Sequence, residues 1–193
     1  MFVLLLVMAV LIALSLGAEY LFGSTHLAPS NAPLSMPNYK AALNISSSVP
    51  ADQRQNLETQ LTAVQAALDA TTTDFNAWVA LGVVRKEAGD YQGAAQAWLY
   101  VAQRWPTLPV AFNNLGDLYM NYLKDYPKAE SNYERLIQLD PTNIDAYANL
   151  YTIYRYSYKT GTSAAADILA QGLKANPGNQ YLLSLEAQLK AGK

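Results

Sequence analysis

Cysteine is absent from the 193 residues, which excludes disulfide frameworks, thiolate metal sites and cysteine nucleophiles. Histidine occurs once, as His26, in a stretch that reads as lying outside the folded part. That leaves no Ser-His-Asp triad, no HExxH zinc site and little general-base chemistry. Basic residues are not in excess either, with thirteen Lys and Arg against fifteen Asp and Glu. Without a basic patch nothing offsets a phosphate backbone, so nucleic acid is not an expected partner. What the chain has in quantity is apolar side chain, 51% of its residues, and tyrosine, fourteen in all. The length fits one or two domains with a sizeable core.

Residues 2–18 carry no charge, and Tyr20, Leu21 and Phe22 extend the run past Glu19. A helix over residues 2–22 would be roughly 30 Å long, enough to cross a bilayer's hydrocarbon core. Glu19 would then sit in the last turn beside Tyr20 and Phe22, at the interface. Ser15, Gly17 and Ala18 offer small residues for a signal peptidase, but no Lys or Arg precedes the apolar run as a secretory signal would have it. Residues 1–22 are therefore expected to be a retained anchor with the polar domain extracytoplasmic, a cleaved and secreted product being the alternative. A prenyl or palmitoyl anchor is excluded with cysteine. A third layout is that of pilin-type filament subunits, whose apolar helices bundle in a fibre core, although the pilin glutamate near the start of the run is missing here.

Residues 23–50 contain Pro29, Pro33, Pro37 and Pro50, six serines, three asparagines and no sustained apolar period. Such a composition buries too little surface to offset its chain entropy and predicts an irregular tether. Asn44-Ile45-Ser46 is a glycosylation sequon, a triplet common by chance.

From Phe75 onward the chain repeats with a period near 34. Trp78, Phe112 and Tyr147 correspond, as do Leu81, Leu115 and Leu150, and Gly82 and Gly116 with Tyr151 in the third copy. Ala94, Ala129 and Ala165 match, followed by Trp98, Tyr133 and Leu169 and then by Pro106, Pro141 and Pro177. The period drifts between Arg85, Tyr119 and Tyr154 on one side and the three alanines on the other, so extra residues belong in the turn inside each unit. Each unit reads as two helices, the first pair over residues 75–88 and 91–104 with Asp90 as N-cap. Alanine lets the helices close on a large aromatic, glycine removes the side chain where they approach most closely, and proline ends each unit. Residues 51–74 carry Leu57, Leu61, Val64 and Leu68 on one face, a degenerate half-unit covering the first repeat. Residues 178–193 carry Tyr181, Leu182, Leu185 and Leu189, a capping helix at the other end.

The W-x2-L-G pattern followed by A-x3-W and a proline resembles the tetratricopeptide repeat (TPR), over residues 75–177. The resemblance implies an all-α solenoid of three helical hairpins with capping helices, preceded by the hydrophobic N-terminal helix. It also implies a concave groove lined by the first helix of each hairpin, where partners bind as extended peptides or helices. By repeat position that groove would present Asn76, Val79, Val83 and Lys86, then Asn113, Asn114, Asp117 and Asn121, then Asp145, Asn149, Thr152, Arg155 and Tyr156. The partner-binding residues expected from this set are Asn113, Asn114, Asp117, Asn121, Asn149, Thr152, Arg155 and Tyr156. Amides both donate and accept, so a row of them can pair with a peptide backbone without selecting a side-chain sequence; the bland reading is that asparagine is simply solvated there.

Chaperone-binding TPRs hold a C-terminal carboxylate with lysine, arginine and asparagine at set positions. Asn114 fits the middle position, but Val79 and Val83 stand for the first lysine and asparagine, and Asp145 and Asn149 for the last lysine and arginine. Asp145 would repel a carboxylate, so chaperone tails are not the expected ligand. Tyr147 and Tyr154 read as core and Tyr151 as the helix crossing, while Tyr156 and Tyr158 are either interface aromatics or packing for the longer turn around Thr160. An enzyme would have to work with carboxylates such as Asp117 with Asp145, or Glu130 with Glu134, the latter spaced as on an ordinary solvated helix face. No catalytic residue, cofactor or metal is expected. The leading expectation is a membrane-anchored binding scaffold in extracytoplasmic assembly, similar in layout to signal-anchored bacterial TPR proteins of envelope or cytochrome assembly. The alternative is a self-associating filament subunit with TPR domains outside a core of N-terminal helices.

Overall fold

The computed structural model describes residues 35–192; the apolar segment, His26 and residues 23–34 lie outside the described residues. Among the described residues eight α-helices follow one another, with no strand. They are α1 (Ala51–Ala70), α2 (Phe75–Glu87), α3 (Tyr91–Arg104), α4 (Pro109–Leu118), α5 (Tyr126–Leu139), α6 (Ile144–Tyr156), α7 (Ala164–Ala175) and α8 (Gln180–Lys190). Consecutive helices pack in pairs, α2 on α3, α4 on α5 and α6 on α7, and each pair also packs on the next.

Short polar side chains start most of these helices. Asp74, Asp90, Asp125, Asn143 and Asn179 each accept a hydrogen bond from a backbone N–H in the first turn, satisfying a donor that the helix leaves open. α4 has no such cap and starts instead with Pro109, whose missing N–H needs no partner there.

The turn joining one pair to the next is built the same way four times. Thr71, Trp105, Asp140 and Asn176 each donate to the carbonyl four residues back, at 2.8–2.9 Å. Their own carbonyls accept from Asp74, Leu108, Asn143 and Asn179, three residues on, at 3.0–3.2 Å. α1 therefore ends as α3, α5 and α7 end, and α8 begins as α2 and α6 begin. Two of the turns are also tied down by an aromatic six residues on: Trp78 Nε1 donates to the Thr72 carbonyl at 2.8 Å and the Tyr147 hydroxyl to that of Pro141 at 3.0 Å.

Inside the pairs the expected small-to-large packing is present. Ala94, Ala129 and Ala165 are buried, as are Trp78, Tyr147, Trp98 and Tyr133. A Cβ on Gly82 would lie 2.1 Å from Trp98 Nε1, and one on Gly116 2.6 Å from the Tyr133 ring. In the third pair the bulk changes sides, with Tyr151 at the glycine position and Leu169 at the aromatic one, both fully buried. Burying each such large side chain contributes roughly 1.5–3 kcal/mol.

The lengthening of the repeat falls where the spacing places it. Between α4 and α5 the extra residue is taken up by a π-helical turn, Tyr119–Leu123, closed by Lys124 at φ 55°. Between α6 and α7 the chain makes a longer turn with Lys159 at φ 60° and Gly161 at φ 75°. Glu130 does not lie on a solvated face as its spacing from Glu134 suggested. Its side chain is 12% exposed, and it accepts from both the Tyr154 hydroxyl and Lys159 Nζ, pinning this longer turn to α5. Tyr158 packs against the core beside it.

Two further expectations change. Tyr181 points away from the face of α8 that buries Leu182 and Leu185 and is 53% exposed. Residues 35–50 are irregular, as their composition predicts, but they are not a loose tether. Tyr39 and Val49 are buried in one core cluster with Leu57, Leu61, Leu68 and Trp78, and Leu43 and Ile45 pack against it. Enough apolar side chain survives among the serines to dock this segment along α1.

Candidate partner-binding face

Three helices place the expected residues. Asn113 and Asn114 are adjacent on α4 with Asp117 a turn further on, and Asp145, Asn149, Thr152, Arg155 and Tyr156 follow along α6. Asn121 falls in the π-helical turn, which takes it out of α-helical register with Asp117 although it stays exposed. From α2, Asn76 is exposed, whereas Val79 and Val83 are half-buried and pack on the core.

The junction between α4 and α6 is organised by Tyr133, which rises from α5 between them. Its ring is fully buried, and its hydroxyl donates to Asp117 Oδ1 at 2.6 Å and receives Asn149 Nδ2 at 3.1 Å. The direction of this chain follows from chemistry. An ionised carboxylate only accepts, so the one hydroxyl proton goes to Asp117, and the hydroxyl oxygen must accept from the NH2 of Asn149. Asn149 Oδ1 is thereby fixed on the far side of the amide. Burial, followed by the hydrogen bond to Asp117, raises the Tyr133 pKa well above that of a free phenol, and the nearby charge of Asp145 adds to it. The hydroxyl is therefore a permanent donor near neutral pH and no source of acid–base chemistry.

The asparagines expected at the centre of the face are not used by the fold. Asn113 and Asn114 are half-buried and Asn121 exposed, and none makes a side-chain hydrogen bond among the described residues. Thr152 differs, because its hydroxyl is spent on the Ala148 carbonyl of its own helix at 2.9 Å. At the far end Arg155 lies 5.7 Å from the Tyr156 ring centroid, and Tyr156 meets Tyr151 edge-on at 6.3 Å. Tyr156 is 59% exposed, the most exposed of the large apolar or aromatic side chains among the described residues. Burial first, and then Tyr156, raises the Tyr151 pKa.

The structure thus joins Asp117 to Asn149, leaves Asn113, Asn114 and Asn121 open, turns Thr152 back on its helix and presents Tyr156 to solvent. Tyr133 is the residue that motif reasoning passed over, since it filled a core aromatic position. The signal was its hydroxyl: tyrosine, where the other units have Trp98 and Leu169, brings a polar atom into the core that needs partners.

Among the described residues no helix is long and apolar enough to cross a membrane; the apolar segment over 2–22 lies outside them. No protein-family model matches the chain, and no curated protein matches it either.

Proposed function

We propose that this chain is a non-catalytic scaffold of the tetratricopeptide type, a solenoid of three hairpins between a half-unit and a capping helix, that holds a protein partner on its inner face. The observation that carries this reading is the contrast along that face. Tyr133 sets Asp117 and Asn149 in fixed orientations, while Asn113, Asn114 and Asn121 keep their full hydrogen-bonding capacity. Fixed acceptors beside open amides suit an extended peptide backbone. Four turns of one design, spaced 34 to 36 residues apart, support the solenoid. The apolar run over 2–22, with the helical domain beyond it, supports attachment to a membrane with the domain extracytoplasmic.

A photo-crosslinking residue in place of Asn114 tests the binding face, with the exposed Gln96 of α3 as the control position in the full-length chain expressed in its own cells. The reading expects an adduct with another protein at 114 and none at 96. Equal labelling at both positions refutes it, and an adduct between two copies of this chain favours the filament subunit instead.

A further inference from the structure

The second and third units treat a core tyrosine in opposite ways. Tyr133 of α5 has both partners that its hydroxyl needs, Asp117 at 2.6 Å and Asn149 at 3.1 Å. One unit on, the places of Asp117 and Asn149 are held by Thr152 and Leu185. The Thr152 hydroxyl is spent on the Ala148 carbonyl, and Leu185 is a buried hydrocarbon. Tyr151, which carries the bulk in this unit, is fully buried, and its hydroxyl has no hydrogen-bond partner. A buried donor without an acceptor is costly, and folds seldom keep one.

Beside that hydroxyl stand a cation and an exposed ring. Tyr156 meets Tyr151 edge-on, and the guanidinium of Arg155 lies 5.7 Å from the Tyr156 ring centroid. Burial and Tyr156 raise the Tyr151 pKa while the charge of Arg155 opposes them, so the three side chains converge. A neutral phenol and a guanidinium together offer O–H and N–H donors and one positive charge. The group that suits both is an acceptor of negative charge. Two acids near in the chain are placed elsewhere: Asp145 is ten residues back on α6, about 15 Å along the axis. Glu130 accepts from Tyr154 and Lys159.

We propose that Tyr151, Arg155 and Tyr156 form a subsite for an acidic side chain, Asp or Glu, of the peptide held on the inner face, an inference that rests on the scaffold reading and adds the chemistry of its partner. The Tyr151 hydroxyl donates to the carboxylate, Arg155 adds a charge-assisted bond, and the Tyr156 ring packs on the carbon stem. Tyr156 is the exposed member, and an exposed side chain changes rotamer within nanoseconds, so the carboxylate reaches the hydroxyl without any helix moving. The occupant is a side chain and not a chain end, because α8 packs on α6 and a peptide crossing α6 runs on past the subsite. The two units then take opposite groups. Asp117 and Asn149 Oδ1 accept from the peptide, the third unit donates to it, and the order of charge along the peptide sets the direction in which it lies.

Phage-displayed random dodecapeptides selected on the full-length chain in detergent test this, followed by fluorescence anisotropy of a selected peptide on wild type, Tyr151→Phe and Arg155→Gln. The expected peptides carry Asp or Glu at one fixed place. Either variant, or the amide in place of that acid, weakens binding about tenfold, and variant and amide together lose little more than one alone. Tyr151→Phe does so without lowering the Tm, because its hydroxyl holds nothing in the fold. A fall of about 4 °C or more would place the hydroxyl in a bond within the fold and overturn the proposal. Peptides without an acidic preference overturn it as well, as does a preference that both variants keep; if such peptides still need Asn113 and Asn114, the scaffold reading stands. No selected peptide, or binding indifferent to Asn113→Ala with Asn114→Ala, refutes the scaffold reading and the subsite with it.

Discussion

Gly82→Ala sets packing directly against helix propensity, because among the described glycines a Cβ at Gly82 would meet the closest neighbour. Propensity alone favours alanine over glycine in mid-helix by about 1 kcal/mol. Against that, the new Cβ would lie 2.1 Å from Trp98 Nε1, 2.4 Å from Cε2 and 2.6 Å from Cδ1. The indole cannot swing away, because it is fully buried and its Nε1–H is committed to the Val79 carbonyl at 3.1 Å. α2 and α3 must separate or the ring must leave its rotamer, a cost of about 1–3 kcal/mol for overpacking. Losing the indole hydrogen bond adds about 1 kcal/mol. The net expectation is a loss of about 2 kcal/mol, or roughly 4–8 °C in Tm. Thermal unfolding of the full-length chain in detergent, followed by circular dichroism, reads it. In the double variant Gly82→Ala, Trp98→Leu, which copies the exchange of bulk seen at Tyr151 and Leu169, the two changes should compensate by at least about 1 kcal/mol relative to additivity. A Gly82→Ala protein as stable as the wild type would refute the close approach of α2 and α3 on which the hairpin assignment depends.

Alkaline pH should weaken the fold. Tyr133 and Tyr154 have pKa values raised by burial and then by hydrogen bonds to Asp117 and Glu130, so both are neutral in the folded chain where a free phenol ionises. Their stabilisation is complete below about pH 10, the unfolded value, and is lost as pH rises beyond it. Tyr133→Phe should flatten that dependence in a pH series of denaturant midpoints, and an unchanged slope would contradict the assignment. Glu130→Ala leaves the Tyr154 hydroxyl without its acceptor and Lys159 without its ion-pair partner. It should cost about 1–3 kcal/mol in a denaturation midpoint, whereas a solvated Glu130 would cost almost nothing. Asn113→Ala with Asn114→Ala should leave Tm within about 1 °C, since neither amide is bonded within the described fold, and a larger fall would show that the fold uses them.

Periodicity made the helices legible. The pairing of Trp78 with Leu81, and of Ala94 with Trp98, fixes which faces are buried, and the drift of the spacing located both irregular turns before their shapes were known. The caps were less visible: Asp90 stood out beside a glycine, whereas Asp74 and Asn143 do so only once the four equivalent turns are aligned. What local patterns cannot carry is pairing at long range. Residues 35–50 read as a tether because Tyr39 and Val49 are isolated among serines and prolines, whereas in the fold the Tyr39 hydroxyl donates to Asp69, its ring meets Trp78 edge-on and Arg85 donates to the Ala41 carbonyl, partners thirty to forty-six residues away from Tyr39. Arg85 at a tyrosine position was the one local trace of this docking. On the candidate face the order of the residues along each helix followed from the repeat. Only the folded chain shows that Tyr133 joins Asp117 to Asn149, because three helices must meet for those side chains to touch.

The stacking of hairpins is the premise of the inner face, and the absence of native cysteine makes it measurable with pairs of spin labels in the full-length chain. Cysteines at Asn76, Asp145 and Gln180, near the starts of α2, α6 and α8, give two distances by pulsed electron resonance. Stacked units advance by about 10 Å per hairpin, so the account predicts about 20 Å from 76 to 145 and about 30 Å from 76 to 180. A 76–180 distance shorter than the 76–145 distance would mean that the helices close into a bundle, and the continuous binding face would not exist.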